Sequence, residues 1–446
     1  MKYIKSLRNG LILFSVFILG SLSFSCKQNL DVAVINENKY ENNKDAKAYM
    51  LNGNGRSTSD SITFSGTDST AFSIRLSSPV SSTASFEVKY DKSVLDDYNN
   101  EHSSEFVALP ESLVSIGKEM SVVSGKSCSD SSYVVYKTSE ELLKSGLYVI
   151  PLRAECSSKN VDMSVEKSKF LLFVRDLSKL PNCNKSTGIK IISCMEVNDT
   201  NPLNNLCFTL ASNGKPLIDM VILFSANINY DDETGRVYIY NNENVQHLLD
   251  NKEKYLKPLQ DRGIKVVLGI LGNHDRSGVA NLSDEAARQF AMDEKAICEA
   301  YDLDGIFFDD EYSSYQTPVP PGFVEPSSKA ASRLCYETKK AMPDKLVCVY
   351  VYSRTSSLPD VDGHESGTFV DYGIHDYGGS FDLSSNYPGM PKSRMALYSE
   401  EFSRDRFSSA YNLQSLRDNG YGAHMIFAMD PSRSNFGNQL SAMQRI

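Results

Sequence analysis

From residue 189 onward, short apolar runs alternate with amphipathic stretches, and this alternation restricts the fold more than any other feature. The runs are Ile189–Val197, Met220–Phe224, Ile264–Leu271, Gly305–Asp309, Leu346–Tyr352, Phe369–Ile374, Met395–Tyr398 and Ala423–Ala428. Each has the length of a buried strand. Between them, Val245–Arg262 and Asp284–Tyr301 carry helical spacing. Ser283 stands where an N-cap belongs, and Gly263 is placed to stop the earlier helix. Eight strands alternating with helices predict a (β/α)8 barrel over residues 189–446.

The preceding residues have a different texture. Between 27 and 175 the chain is rich in Ser, Thr and Val and alternates with period two at Ser85–Tyr90, Tyr133–Tyr136, Leu147–Leu152 and Phe170–Val174. Short alternating runs separated by turn residues predict an all-β sandwich. The expected fold class is therefore α/β, a barrel preceded by a β-sandwich, with 176–188 (DLSKLPNCNKSTG) as a linker. Residues 1–25 place Lys2, Lys5 and Arg8 before a short apolar stretch and small residues, the pattern of a cleaved export signal. Ser23-Phe24-Ser25-Cys26 reads as a relaxed lipobox, with Cys26 as the lipidated residue of an outer-membrane or cell-surface lipoprotein. The remaining cysteines show no metal-ligand spacing. Most lie in apolar segments, while Cys128 and Cys156 are left open as a pair.

Charge excludes one class of partner. Against 46 Lys and Arg stand 56 Asp and Glu, a formal charge of −10, so no nucleic acid is expected as a partner. A monomer is expected. The chain has 24 Tyr and 21 Phe but no Trp. Without Trp, any ring stacking on a ligand falls to Tyr and Phe.

Catalytic groups of a (β/α)8 barrel gather at the C-terminal ends of its strands. The polar residues there are Glu196, Asn227, Asn229, Asn273, His274, Asp309 to Tyr312, Tyr350, Tyr352, His375 to Tyr377, and Asp430. Asp309 and Glu311 are two apart, which on a strand puts both on one face roughly 6.5 to 7 Å apart, with Asp310 turned away. Two carboxyls this close do not both ionise easily, so one holds its proton near neutrality and can protonate a leaving alkoxide. Taken alone, the string also admits a solvated loop or a divalent-metal site.

The string Asp304-Gly305-Ile306-Phe307-Phe308-Asp309-Asp310-Glu311 resembles the D-G-x-D-x-D-x-E signature of glycoside hydrolase family 18. It is most similar to that of the endo-β-N-acetylglucosaminidases of the endoglycosidase H and F type. The resemblance runs through FSANINYD (224–231), NENVQ (242–246), PLQDRGIKVVLGILGNHD (258–275), VDYGIHDYGGSFDL (370–383) and GYGAHMIFAMDPSRSNF (420–436). Phe307 departs from the general signature, which has Asp there. The segment DKSVLDDYNNEHSSEFVALPESL (91–113) is similar to the N-terminal β domain of Bacteroidetes surface lipoproteins that act on glycans.

The resemblance implies substrate-assisted retaining hydrolysis between two GlcNAc residues of an N-linked glycan. Glu311 is then the general acid, and Asp309 steadies the acetamide whose own oxygen attacks. Tyr350 or Tyr377 holds that oxygen. Glu196, Asn227, Asn242, Asn273, His274, Tyr312, His375 and Asp430 are candidate sugar contacts. No metal or organic cofactor is implied. The partner is an N-linked glycoprotein or glycan, of high-mannose type by the nearest resemblance. The loops 231–241 and 315–326 are expected to shape that preference. Two alternatives stay open at this point, namely a non-catalytic surface glycan-binding protein, for which Phe307 and the β domain are the motive, and a chitinase.

Overall fold

The structure is a computed structural model that describes residues 45–53, 55, 62–64, 66–117, 119–142, 147–178, 180–198, 200–429 and 437–444. The leader, Cys26 and Asp430 lie outside the described residues.

Period-two patterning produces the first part of the molecule. One five-stranded sheet runs Val114–Ile116, Ser132–Lys137, Thr67–Leu76, Ala46–Asn52, Val161–Asp162 in spatial order. The other runs Ile62–Phe64, Lys169–Asp176, Leu147–Cys156, Ala84–Tyr90, Glu119–Val122. In Ala84–Tyr90, Ala84, Phe86 and Val88 are buried while Ser85 and Glu87 are exposed. Phe64 and Tyr136 meet edge to face across the sheets, their centroids 5.0 Å apart. The all-β expectation omits the helix Lys92–His102 and two short helical turns, Glu111–Leu113 and Val165–Ser168. Asp91 caps the first of these by accepting from the Ser93 amide at 3.0 Å, and Ser103 ends it in the left-handed region. Cys128 and Cys156 are both free thiols.

The second part is a closed parallel barrel. Its strands are β1 (Lys190–Glu196), β2 (Met220–Asp231), β3 (Lys265–Gly272), β4 (Gly305–Asp309), β5 (Leu346–Val351), β6 (Tyr372–His375), β7 (Met395–Ala396) and β8 (Ala423–Phe427). Each pairs with the next, and β8 returns to β1 with Ala423 opposite Lys190. Side-chain parity sorts the barrel into two cores. Ile192, Ile222, Val267, Phe307, Ile374 and Met425 fill the interior. Val221, Leu268, Ile306, Val349 and Ile426 face the surrounding helices.

The connections differ from the sequence reading in several places. Asp284–Tyr301 is one helix whose Ser283 cap accepts from the Ala286 amide. Val245–Arg262 instead divides into Glu243–Asp250, Lys252–Tyr255 and Lys257–Gln260. Pro258 has no amide hydrogen and sits in the first turn of the last piece, where none is needed. Phe369 ends the helical turn Ser366–Phe369 rather than opening β6. The stretch expected as the loop 231–241 folds largely into a strand, Arg236–Tyr240, antiparallel to the extended end of β2.

The expected linker is packed onto the barrel. Leu177, Leu180 and Cys183 are buried in its outer core. The Cys183 amide donates to the Arg262 carbonyl at 2.7 Å, and Lys185 forms a buried ion pair with Asp219. From the last sandwich strand, Arg175 donates to the Cys207 carbonyl at 3.1 Å. Among the described residues no helix is long and apolar enough to cross a membrane.

Candidate active site

The site grows out of β4. Gly305, Phe307 and Asp309 point inward, and the same parity carries Glu311 over the barrel mouth. Gly305 lies tight against β5, where a Cβ would overlap the Leu346 carbonyl oxygen. The first acid of the string, Asp304, lies at the opposite end of β4. There it accepts from the Val266 amide at 2.9 Å and pairs with Lys265. Phe307 occupies the layer beneath Asp309, with ring centroids 6.4 Å from both Phe224 and Tyr350. Asp309 therefore stands on an aromatic floor and is only 3% exposed, and its Oδ1 has no hydrogen-bond partner.

Both carboxyls of the pair are held above their ordinary proton affinity. For Asp309 the main cause is burial, followed by the negative charges of Glu311 and Asp310. For Glu311 it is again burial, followed by the charge of Asp376. The charge of Glu311 and its hydrogen bond with Asp309 both favour the protonated form of Asp309, whereas that same bond offsets part of the rise at Glu311.

Strand parity distributes the remaining candidates. Tyr350 points inward and donates to Asp376 Oδ1 at 2.6 Å, and Tyr352 stacks on it with centroids 5.8 Å apart. Burial, then the bond to Asp376, raises the Tyr350 phenol well above its ordinary value. Tyr377 completes the aromatic wall, 6.4 Å from both Tyr350 and Phe427. On β2 the register shifts between Leu223 and Ala226, and beyond that bulge Ala226 and Ile228 face outward. Asn227 and Asn229 are thereby turned toward the mouth. The Asn227 amide is spent on the Leu271 and Gly272 carbonyls at 3.3 and 3.2 Å, whereas Asn229 accepts from Asn273 at 3.2 Å. Glu196, at the end of β1, accepts from the Asn198 side chain at 2.7 Å.

The ends of β3 and β4 approach closely. The Gly272 amide donates to the Glu311 carbonyl at 3.1 Å, and a Cβ on Gly272 would overlap that oxygen. The His274 amide donates to the Tyr312 carbonyl at 2.6 Å. Both residues have left-handed backbones, and their rings meet at 5.7 Å. Asn273, His274 and Tyr312 thus form one rim of the cleft.

Two expected sugar contacts are placed elsewhere. Asn242 caps the helix Glu243–Asp250, accepting from the Asn244 and Val245 amides at 3.0 Å each and donating to the Ser225 carbonyl at 3.2 Å. Its polar atoms are committed to backbone. His375 has outward parity and is 2% exposed, its Nε2 lies 3.1 Å from the Phe381 carbonyl, and burial lowers its proton affinity. The group that faces inward at that strand end is Asp376, absent from the candidate contacts above. Counting by two from Tyr372 and Ile374 points to it. Among the described residues no cluster of three or more His, Cys, Asp or Glu has metal-binding geometry.

A closed barrel with an inward carboxyl pair ringed by aromatic and amide side chains defines a glycoside hydrolase site. The comparisons specify which kind. Over 261 residues, 58% of this chain and 77% of the relative, the chain is 64% identical to endo-β-N-acetylglucosaminidase F1 of Elizabethkingia meningoseptica. Over 243 residues, 54% and 75%, it is 35% identical to an endo-β-N-acetylglucosaminidase of Flavobacterium sp. (strain SK1022). Among solved structures it resembles EndoBT-3987 of Bacteroides thetaiotamicron with Man5GlcNAc product. The TM-score is 0.54 at 36% identity, covering 86% of this chain and 90% of that one. The same enzyme with Man9GlcNAc2Asn substrate matches at TM-score 0.54 and 35% identity, covering 86% and 89%. A family model described as an N-terminal domain matches residues 40–161. The chain belongs to the endo-β-N-acetylglucosaminidase family and is a glycoside hydrolase.

Proposed function

We propose that the protein hydrolyses the β-1,4 bond of the diacetylchitobiose core of high-mannose N-linked glycans by substrate-assisted retaining catalysis. The observation that carries this reading is the placement of Asp309 and Glu311 on one inward face above Phe307, with Tyr350 and Asp376 beside them. Glu311, holding its proton, protonates the glycosidic oxygen as the C1–O bond breaks. The substrate's acetamide oxygen closes on C1, and Asp309 accepts the acetamide N–H and balances the positive charge that develops there. Tyr350 or Tyr377 keeps the acetamide oxygen directed at C1. Glu311, now ionised, takes a proton from the incoming water, which opens the ring intermediate with net retention. Glu196, Asn229, Asn273, His274 and Tyr312 line the route of the sugar chain.

Two aspects rest on sequence alone. Cys26 is proposed as the lipidated residue that holds a monomeric protein at the outer membrane. Mass spectrometry of detergent-extracted protein should show an acylated Cys26, and Cys26→Ser should move the protein to the soluble fraction. An unmodified thiol in the mature protein rules the anchor out.

For the activity, a high-mannose glycoprotein incubated with the protein should shrink to a form keeping one GlcNAc, while Glu311→Gln leaves it intact. Equal cleavage by both, or by neither, overturns the reading. Preferential cleavage of soluble chitooligosaccharides would identify a chitinase instead.

A further inference from the structure

Between the two carboxyls of the pair stands a third, Asp310, directed away from the cleft and only 5% exposed. Its Oδ1 accepts from the Tyr315 hydroxyl, and its Oδ2 accepts from the Arg354 backbone amide at 3.0 Å. The Arg354 guanidinium lies 3.8 Å from Oδ2 and 4.8 Å above the Tyr315 ring. Every partner offered to Asp310 is a donor, the surroundings an ionised carboxylate requires.

One buried group thus fastens two loops. The loop after β4 carries Tyr312, which is 56% exposed. The connection after β5 carries Tyr352, 40% exposed and stacked on Tyr350. Both segments hold a left-handed residue without a glycine, Tyr312 at φ 59° and Ser353 at φ 48°. Side chains disfavour that conformation, so neighbouring contacts must maintain it. Asp310 supplies such contacts to both loops.

We propose that Asp310 is a positioning residue of the glycan cleft, clamping the loops after β4 and β5 in register with Glu311 and placing a fixed negative charge behind it. This rests on the reading of Glu311 as the acid. Glu311 is faced by Asp309 and Asp310 from its own strand end, by Asp376 just beyond β6 and by Tyr352 just beyond β5. Tyr312 follows it in the chain, and His274 forms the adjoining rim at the end of β3. The Asp310 charge favours the protonated form of Glu311 and of Asp309. Neutralising it lets Glu311 lose its proton at lower pH.

The test is a kinetic pH profile on a labelled high-mannose glycopeptide. Asp310→Asn should raise KM about tenfold and move the alkaline limb of kcat down by roughly half a unit. Tyr315→Phe removes one arm of the clamp, and the Ala280 amide contact with it, but keeps the charge. It should raise KM and leave the limb in place. A wild-type KM with a wild-type limb in Asp310→Asn overturns the proposal, as does an equal limb shift in Tyr315→Phe. Should Asp310→Asn fail to fold, Arg354→Ala and Tyr315→Phe still read the clamp through KM. Calorimetry of Man5GlcNAc on Glu311→Gln, with and without Asp310→Asn, separates this proposal from the function. About tenfold weaker binding supports the clamp and equal affinity overturns it, whichever group proves to be the acid.

Discussion

At the scale of single residues, the site is governed by what lies beneath and beside the carboxyl pair. Phe307 replaces the acid of the general signature, so Asp309 is raised chiefly by burial on an aromatic floor. Asp376 acts on Glu311 through space and on Tyr350 through a hydrogen bond. Asp376→Asn removes a charge that favours protonated Glu311. The alkaline limb of kcat should therefore move to lower pH, as a pH series on one glycopeptide will show. Gly272→Ala forces a Cβ into the Glu311 carbonyl. Displacing the acid by about 1 Å costs on the order of 100-fold in kcat, so turnover should collapse while circular dichroism stays that of the wild type. Asp309 and Glu311 were legible as a pair from spacing alone. Asp376 was legible too, since parity from Ile374 selects it over His375.

At the scale of elements, the helices Asp284–Tyr301 and Ser328–Ala341 bury Glu294 between them. It accepts from the Thr338 hydroxyl at 2.6 Å, and its Oε1 has no partner. Burial lifts this carboxyl from 4.5 to about 8. The folded state thus binds the proton more tightly than the unfolded chain does. The associated stability is complete below the unfolded value and is lost as pH rises toward 8. Wild type should lose about 2 to 4 kcal/mol between pH 5 and 8 from this group, and Glu294→Gln should lack that slope in denaturant titrations. The strands of the barrel were readable because an apolar run has only one way to be buried there. The broken helix after β2 and the hairpin Arg236–Tyr240 were less so. Local propensity does not reveal where Pro258 will be seated or that a β-bulge redirects Asn227.

At the scale of the whole molecule, the segment expected as a tether belongs to the barrel. Leu177, Leu180 and Cys183 enter its outer core, and Lys185 is buried against Asp219. Burial lowers the Lys185 proton affinity, and the pairing with Asp219 offsets part of that effect. Removing one member of such a pair leaves a charge poorly compensated, at a cost of about 3 kcal/mol. A fragment beginning at residue 176 should therefore melt well above one beginning at residue 189, as calorimetry can decide. Equal melting temperatures would mean that the segment contributes no stability.

The sequence by itself determined the order of the barrel strands, the sandwich patterning and the carboxyl pair. Each follows from short-range periodicity, which a linear chain expresses directly. The tertiary structure alone decided that Asn242 caps a helix and that Asp310 ties two loops. It also decided that Leu177, Leu180, Cys183 and Lys185 pack onto the barrel. Those outcomes depend on which distant backbone groups arrive beside a side chain, and buried polar atoms take whatever partners closure of the barrel brings within reach.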